Sequence, residues 1–258
     1  MAEIVWLNGR LLPAEAAMVP VTDRGFTLGD GIFETLRLSG GVAQDAAAHF
    51  ARLAAGARKL RLALPFEADG MAEILAHTAA ANGIAEGGAR LTLTRGPGPR
   101  GLLPPAEPRP TVLATAFPLP APGPVQAIIC RSIARDETSP LSQVKTLNYL
   151  PHILARQEAE AAGAQEAILL NRAGRVACAS IGNLLVKYEG LWLTPKLTEG
   201  ALPGIRRARL LASGTVAEAV ISVEMLRAAR ALAVCNVLAL RPVLALDGVA
   251  LPEMTTPE

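Results

Sequence analysis

Pro118-Leu119-Pro120-Ala121-Pro122-Gly123-Pro124 divides the chain. Prolines at alternate positions cannot enter a helix interior or a central strand, because each removes a backbone donor and locks φ. The stretch therefore reads as a stiff, extended linker. It separates a domain over residues 1–117 from a larger one over 125–258. Before it, Thr111–Phe117, Arg90–Arg95 and Phe33–Leu38 read as strands. Asp45–Leu62 reads as a helix, with Leu53, Ala57 and Leu60 at helical spacing. Phe66–Asn82 is a second helix, with Gly83 placed to close it. Ile4–Leu7 and Arg10–Leu12 flank Asn8-Gly9, the preferred pair for a type I′ hairpin turn.

After the linker, Val125–Arg131 reads as an apolar strand, followed by a polar loop, Asp136–Lys145. Tyr149–Ala162 has the pattern of a helix, with Pro151 in its first turn and Gly163 past its end. Further strands are expected at Ala167–Leu170, Val176–Cys178, Leu184–Tyr188, Leu191–Thr194, Ala231–Cys235 and Leu240–Leu246, with a short helix from Gly204-Ile205. The order is α+β with sheets in both halves, not an alternating βαβ series.

The 258 residues are 51% hydrophobic and 19% charged, with a net charge of only +2, which excludes intrinsic disorder. Scattered arginines and 3% aromatics argue against a nucleic-acid partner. No apolar run reaches the roughly 18–20 residues of a membrane span, and no signal peptide is visible. Cys130, Cys178 and Cys235 form no CxxC pair and read as reduced thiols of a cytoplasmic protein. His49, His77 and His152 lie too far apart for a local metal motif, so no metal is expected. Gly96-Pro97-Gly98-Pro99-Arg100-Gly101 matches a dinucleotide-binding GxGxxG. Leu102-Leu103-Pro104-Pro105 then blocks the helix that such a site needs, so a tight loop is expected instead.

Only four lysines, Lys59, Lys145, Lys187 and Lys196, stand against twenty-one arginines. Arginine replaces lysine wherever a positive charge suffices, but not where a neutral amine must attack a carbonyl. Lys59 lies beside Arg58 on a polar helix face, Lys187 on a hairpin strand, and Lys196 in a proline-flanked loop. Lys145 differs, because it follows a loop and precedes a helix, where an amine can be held against a ligand.

Six blocks in order carry a resemblance. They are Asp23-Arg24-Gly25-Phe26-Thr27-Leu28-Gly29-Asp30-Gly31-Ile32-Phe33-Glu34; His49-Phe50-Ala51-Arg52-Leu53; Lys145-Thr146-Leu147-Asn148; Gln165 to Asn171 followed by Gly174-Arg175-Val176; Ser180-Ile181-Gly182-Asn183; and Leu202-Pro203-Gly204-Ile205-Arg206. Together they resemble the class IV aminotransferases, the fold type IV pyridoxal phosphate enzymes. That family includes branched-chain and D-amino acid aminotransferases and aminodeoxychorismate lyases. The resemblance implies a small N-terminal α/β domain, a larger C-terminal mixed sheet or barrel domain, and a homodimer. It implies that Lys145 holds the cofactor aldehyde as a Schiff base and then moves the α-proton. It makes Arg52 a phosphate clamp and assigns cofactor contacts to Ser180, Ile181, Gly182, Asn183, Gly204, Ile205 and Arg206. The reaction implied is amino-group exchange between an amino acid and a 2-oxo acid.

The chain departs from the family at Cys178, which stands where a glutamate faces the pyridine nitrogen. A thiol has a reference pKa of roughly 8.5 against roughly 4.3 for glutamate. The change leaves three outcomes open: a neutral thiol and a weaker electron sink, a thiolate–pyridinium pair, or a cofactor-binding relative with little activity. For the substrate, Phe33, Arg37, Arg95 and Arg100 are the candidate contacts. Phe33-Glu34 and Arg37 resemble the branched-chain enzymes. The loop from Arg95 to Gly101 and Cys235-Asn236-Val237-Leu238 resemble the aminodeoxychorismate lyases, which release pyruvate and 4-aminobenzoate.

Overall fold

The structure is a computed structural model and describes residues 3–257. The chain divides into two compact units, residues 1–120 with 144–148, and residues 121–143 with 149–258.

The first unit begins with the hairpin β1 (Ile4–Leu7) and β2 (Arg10–Pro13), turned at Asn8 and Gly9, both with positive φ. Helix α1 (Arg24–Leu28), strand β3 (Gly31–Ser39) and the short β4 (Val42–Ala43) follow. Then come α2 (Ala46–Leu60), α3 (Ala68–Ala81), β5 (Gly87–Thr94) and β6 (Thr111–Phe117). The strands form one sheet in the order β2-β1-β6-β5-β3-β4, antiparallel throughout. Alternation along β3 turns Ile32, Leu36 and Leu38 to one face. There they pack with Leu53 and Ala57 of α2 and Met71 and Leu75 of α3. Glu34 shares that parity, whereas Phe33, Thr35 and Arg37 belong to the other face.

The loop at residues 96–101 opens no helix. Gly96 has φ +82°, and a Cβ there would strike the Arg109 carbonyl, so the glycine serves a close backbone crossing. Arg24 donates to the carbonyls of Gly101 (3.0 Å) and Leu102 (2.8 Å), which ties the loop down.

The second unit contains β7 (Val125–Ile129), α4 (Leu150–Ala161), β8 (Glu166–Leu170), β9 (Val176–Ala179), β10 (Asn183–Tyr188) and β11 (Leu191–Pro195). It continues with α5 (Ile205–Ala212), β12 (Ala217–Ala219), α6 (Val223–Arg227), β13 (Ala231–Cys235), β14 (Leu240–Leu246) and β15 (Val249–Ala250). Its sheet runs β12-β11-β10-β13-β14-β7-β8-β9, with β15 paired to β14. It is mixed: β11–β12, β14–β7 and β7–β8 are parallel. Ala155 and Ala159 of α4 pack with Ala167, Leu169, Ala177 and Cys178, side chains small enough for close helix–sheet approach.

Two differences from the sequence reading stand out. Helices α1 and α6 span five residues each, too few for a visible period. They are set by caps: Asp23 accepts from Gly25 N and Ser222 from Met225 N. Secondly, residues 144–148 lie with the first unit rather than with the C-terminal domain. Phe33 N donates to Lys145 O (2.9 Å) and Leu147 N to Gly31 O (3.0 Å), so this segment extends the sheet along β3. The short β4 covers only Leu38 and Ser39, which leaves the first half of β3 open to accept it.

Candidate active site

The backbone bonds that hold residues 145–147 set Lys145 directly across from Phe33. Its Nζ lies 4.2 Å from the centre of the Phe33 ring. Thr92 pairs with Phe33 and Arg90 with Thr35 in the β3–β5 register. The Arg90 guanidinium folds back over the same ring, with Cζ 3.7 Å from its centre. The two cations are thus at most about 8 Å apart, where like charges repel by roughly 2 kcal/mol at an effective dielectric of about 20.

On the other face of β3, Glu34 and His49 are fully buried. His49 and Arg52 lie one helical turn apart on α2 and both reach the Glu34 carboxylate. Arg52 donates through Nε (2.8 Å) and Nη2 (2.6 Å), and His49 Nδ1 lies 2.7 Å from Oε2. Burial pushes the Glu34 carboxyl up, but the hydrogen bonds and charges of Arg52 and His49 outweigh it and hold it below its ordinary value.

Burial pushes the Lys145 amine down to about 8; Arg52 and Arg90 push the same way, and the Glu34 charge opposes them. An amine in that range is a usable proton donor and acceptor near neutral pH. We expect its reductive methylation to rise through a midpoint near pH 8, against roughly 10.4 for an ordinary lysine. Peptide mapping across about pH 6–10 checks this, and Lys145 labelling no faster than exposed Lys59 would contradict it. Because the folded-state value is lowered, the unfolded chain binds the proton more tightly between about pH 8 and 10. This group's contribution to stability therefore rises with pH across that window.

In the second unit, three turns converge at the start of α5. Asn183 Nδ2 donates to Leu202 O (2.9 Å), Asn236 Nδ2 to Ile181 O (3.2 Å), and Arg206 Nη2 to Val237 O (3.4 Å). Gly204 caps α5 with no side-chain acceptor for the first-turn N–H groups. A Cβ at Gly204 would strike Asn183 Oδ1, and one at Gly182 would strike the Cys235 carbonyl. A compact backbone cradle at a helix N-terminus suits an anion. Of the predicted contacts, Gly182, Asn183, Gly204, Ile205 and Arg206 all belong to this cluster, and Ile181 is half-exposed beside it.

Ser180 is committed elsewhere. Its Oγ and N–H both donate to Glu166 Oε1, and its carbonyl lies 2.8 Å from His152 Nδ1. Glu166 is fully buried, and its Oε2 lies 3.5 Å from Arg156 Nη1. Burial pushes its carboxyl up despite these bonds. Cys178 is buried on β9, and burial pushes its thiol up to about 11, with Arg135 opposing and Glu166 adding to the shift. Burial at this position thus favours the neutral thiol over the thiolate.

The three arginine candidates for substrate contact differ in setting. Arg95 is buried, pairs with Asp30 (2.8 Å) and donates to the Leu60 and Arg61 carbonyls that end α2. Its guanidinium is taken up in tying β5 to Asp30 and the end of α2. Arg100 is exposed on the tied loop, and Arg37 is exposed on the Phe33 face of β3. Arg90 escaped the sequence reading. The available signal was its alternation with buried Ala89, Leu91 and Leu93, but its partner ring becomes visible only once β3 and β5 are in register.

Comparison with known proteins gives these features their setting. A putative branched-chain-amino-acid aminotransferase of Methanocaldococcus jannaschii is 33% identical over 79% of this chain and 72% of its own length. The 4-amino-4-deoxychorismate lyase from Pseudomonas aeruginosa superposes with a TM-score of 0.82 at 34% identity, covering 96% of this chain and 93% of that one. The branched-chain aminotransferase of Thermoproteus uzoniensis, solved with norvaline, superposes with a TM-score of 0.88 at 29% identity, covering 97% and 89%. Class IV aminotransferases use pyridoxal phosphate, and a further structural neighbour is complexed with N-(5′-phosphopyridoxyl)-L-glutamate. With residues 31–246 matching the model of the amino-transferase class IV family, the chain belongs to the class IV aminotransferases.

Proposed function

We propose that Lys145 is the amine that carries pyridoxal 5′-phosphate and moves the α-proton in amino-group transfer between an amino acid and a 2-oxo acid. The observation that carries this reading is the Lys145 amine itself, half-buried over Phe33 and lowered to about 8. Two features of the structure suit the cofactor. The start of α5 offers first-turn backbone N–H groups with no side-chain acceptor, and Gly204 lets Asn183 pack closely against it. Arg52 is held by Glu34 in one orientation, with its guanidinium plane set by two bonds. Cys178 does not suit it, because a neutral thiol supplies no negative charge to a pyridine nitrogen.

When bound, the cofactor supplies the electron sink that side chains lack. Lys145 Nζ then takes and returns a proton, and its lowered pKa keeps a neutral fraction available for both jobs. Gly204, Ile205 and Arg206 would hold the phosphate, with Asn183 bracing the α5 cradle, and Arg52 keeps the phosphate-clamp role that the family resemblance implies. Gly204→Ala is expected to weaken cofactor retention by at least about tenfold, because the added methyl displaces Asn183. Equilibrium dialysis against pyridoxal phosphate checks this, and unchanged retention would count against the cradle.

A visible spectrum with and without borohydride, followed by mapping of the labelled peptide, tests the central assignment. A colourless protein, or a label on another lysine, overturns it. Incubation with amino acids and 2-oxoglutarate or pyruvate then reads out keto-acid exchange. The lyase reading is kept because of the 34% identity to the Pseudomonas aeruginosa lyase. Release of pyruvate from aminodeoxychorismate would select it.

We also infer a cytoplasmic homodimer. Leu102, Leu103 and Leu150 are exposed apolar side chains that a second copy of the chain can cover. Among the described residues no helix is long and apolar enough to cross a membrane, and the three cysteines are unbridged.

A further inference from the structure

We propose that Glu166 is a positioning residue: through its hydrogen bonds to Ser180 it holds the turn at residues 180–182, and so sets the backbone cradle at the start of α5 for a phosphate. This rests on the reading of that cradle as the cofactor's phosphate site.

Glu166 is the one charged residue of β8, and Ala167, Ile168, Leu169 and Leu170 follow it. It is fully buried, a setting in which a carboxylate is costly unless its lone pairs are taken up. Only one of its oxygens is well served. Oε1 accepts from Ala167 N (3.0 Å), Ser180 N (3.0 Å) and Ser180 Oγ. Oε2 has no hydrogen-bond partner among the described residues, and its ionic neighbour Arg156 is half-exposed and 3.5 Å away. A residue kept for stability alone would be apolar, like the rest of the strand, or satisfied at both oxygens. Three bonds gathered on one oxygen, two of them from one serine, point to the placing of that serine.

Ser180 opens the turn between β9 and β10. In the β8–β9 register Ile168 faces Ala179, so Ser180 comes opposite Ala167, and its N–H is shared between the Ala167 carbonyl (2.8 Å) and Glu166. His152 Nδ1 donates to the Ser180 carbonyl (2.8 Å), a tautomer set by Arg135, which donates to His152 Nε2 (3.2 Å). The N–H, hydroxyl and carbonyl of Ser180 are thus each held, from β8 on one side and from α4 on the other.

The turn carries that placement three residues further. Ala179 N donates to Gly182 O (2.9 Å) and closes it. A Cβ on Gly182 would strike the Cys235 carbonyl, so the turn lies hard against the end of β13. Asn183 follows directly. Its Nδ2 donates to Leu202 O (2.9 Å), and its Oδ1 fills the space that a Cβ on Gly204 would need. A shift of Ser180 is therefore passed to the side chain that touches the N-cap of α5, because close-packed interiors transmit small displacements. Bonds from first-turn N–H groups to an oxyanion weaken steeply with misalignment, so a phosphate is the group that registers the shift.

The test uses the full-length chain freed of cofactor, dialysed against pyridoxal 5′-phosphate and, separately, against pyridoxal, which has the same ring and aldehyde but no phosphate. The ratio of the two affinities isolates the phosphate contribution from the covalent bond. Glu166→Leu is expected to lower this ratio at least about tenfold, and Ser180→Ala about threefold, since it loses one of the two bonds. Glu166→Gln should stay within about twofold of wild type, because an amide oxygen accepts the same three bonds. A merely structural role would lower stability in urea and leave the ratio unchanged. An unchanged ratio in Glu166→Leu, or a ratio in Glu166→Gln as low as in Glu166→Leu, would overturn the proposal. If Glu166→Leu does not fold, Ser180→Ala decides, and an unchanged ratio there overturns it equally. A wild type with no preference for the phosphorylated ligand removes the cradle as a phosphate site, and the role of Glu166 with it. A wild-type preference that the variants keep removes only the role of Glu166.

Discussion

Lys145→Ala is expected to reduce turnover by at least about 10⁴-fold and to abolish borohydride labelling, with little loss of stability. Two functions are lost together, the covalent hold on the cofactor and the proton carrier, and both depend on the neutral fraction of the amine near pH 8. Stability is expected to change by no more than about 1 kcal/mol, because two effects oppose. The variant loses the contact of the amine with Phe33, and it also removes a positive charge that Arg90 and Arg52 disfavour. Turnover within about a hundredfold of wild type would show that another group moves the proton. A large drop in unfolding free energy would show that Lys145 is chiefly structural.

Glu34→Gln is expected to be the most destabilising charge-neutralising change in the first unit, at about 3–5 kcal/mol in urea unfolding. Glu34 is fully buried and receives two bonds from Arg52 and one from His49. Removing its charge takes the carboxylate away from the Arg52 guanidinium, which is almost wholly out of water. A second effect reaches the active amine. The Glu34 charge raises the Lys145 pKa against burial, Arg52 and Arg90, so its loss should move the labelling midpoint below pH 8. The double variant Glu34→Gln/Arg52→Met should recover part of the stability, since it removes the stranded cation. A single-variant loss below about 1 kcal/mol would mean that water reaches this pair.

Much of this is legible in the chain itself. The Asn8-Gly9 hairpin, the helices beginning near Ala46, Ala68 and Leu150, and the apolar strands of both halves follow from local periodicity and turn chemistry. The rejection of the glycine-rich loop as a nucleotide site follows from four residues, Leu102 to Pro105. The scarcity of lysine draws attention to Lys145, and the order of the motifs points to the family. Helices α1 and α6 are not legible, because a cap and five residues leave no period to detect.

Local chemistry thus determined the elements, because each depends on residues close together along the chain, and the order of six motifs from Asp23 to Arg206 pointed to the class of enzyme and the candidate amine. The tertiary structure alone decided what that amine faces. Residues 145–147 hydrogen-bond to β3, far away in the chain, and β5 brings Arg90 onto the same ring while Arg95 is consumed by Asp30 and the end of α2. Strand register is set by long-range pairing and side-chain packing, for which no short stretch of sequence carries a signal.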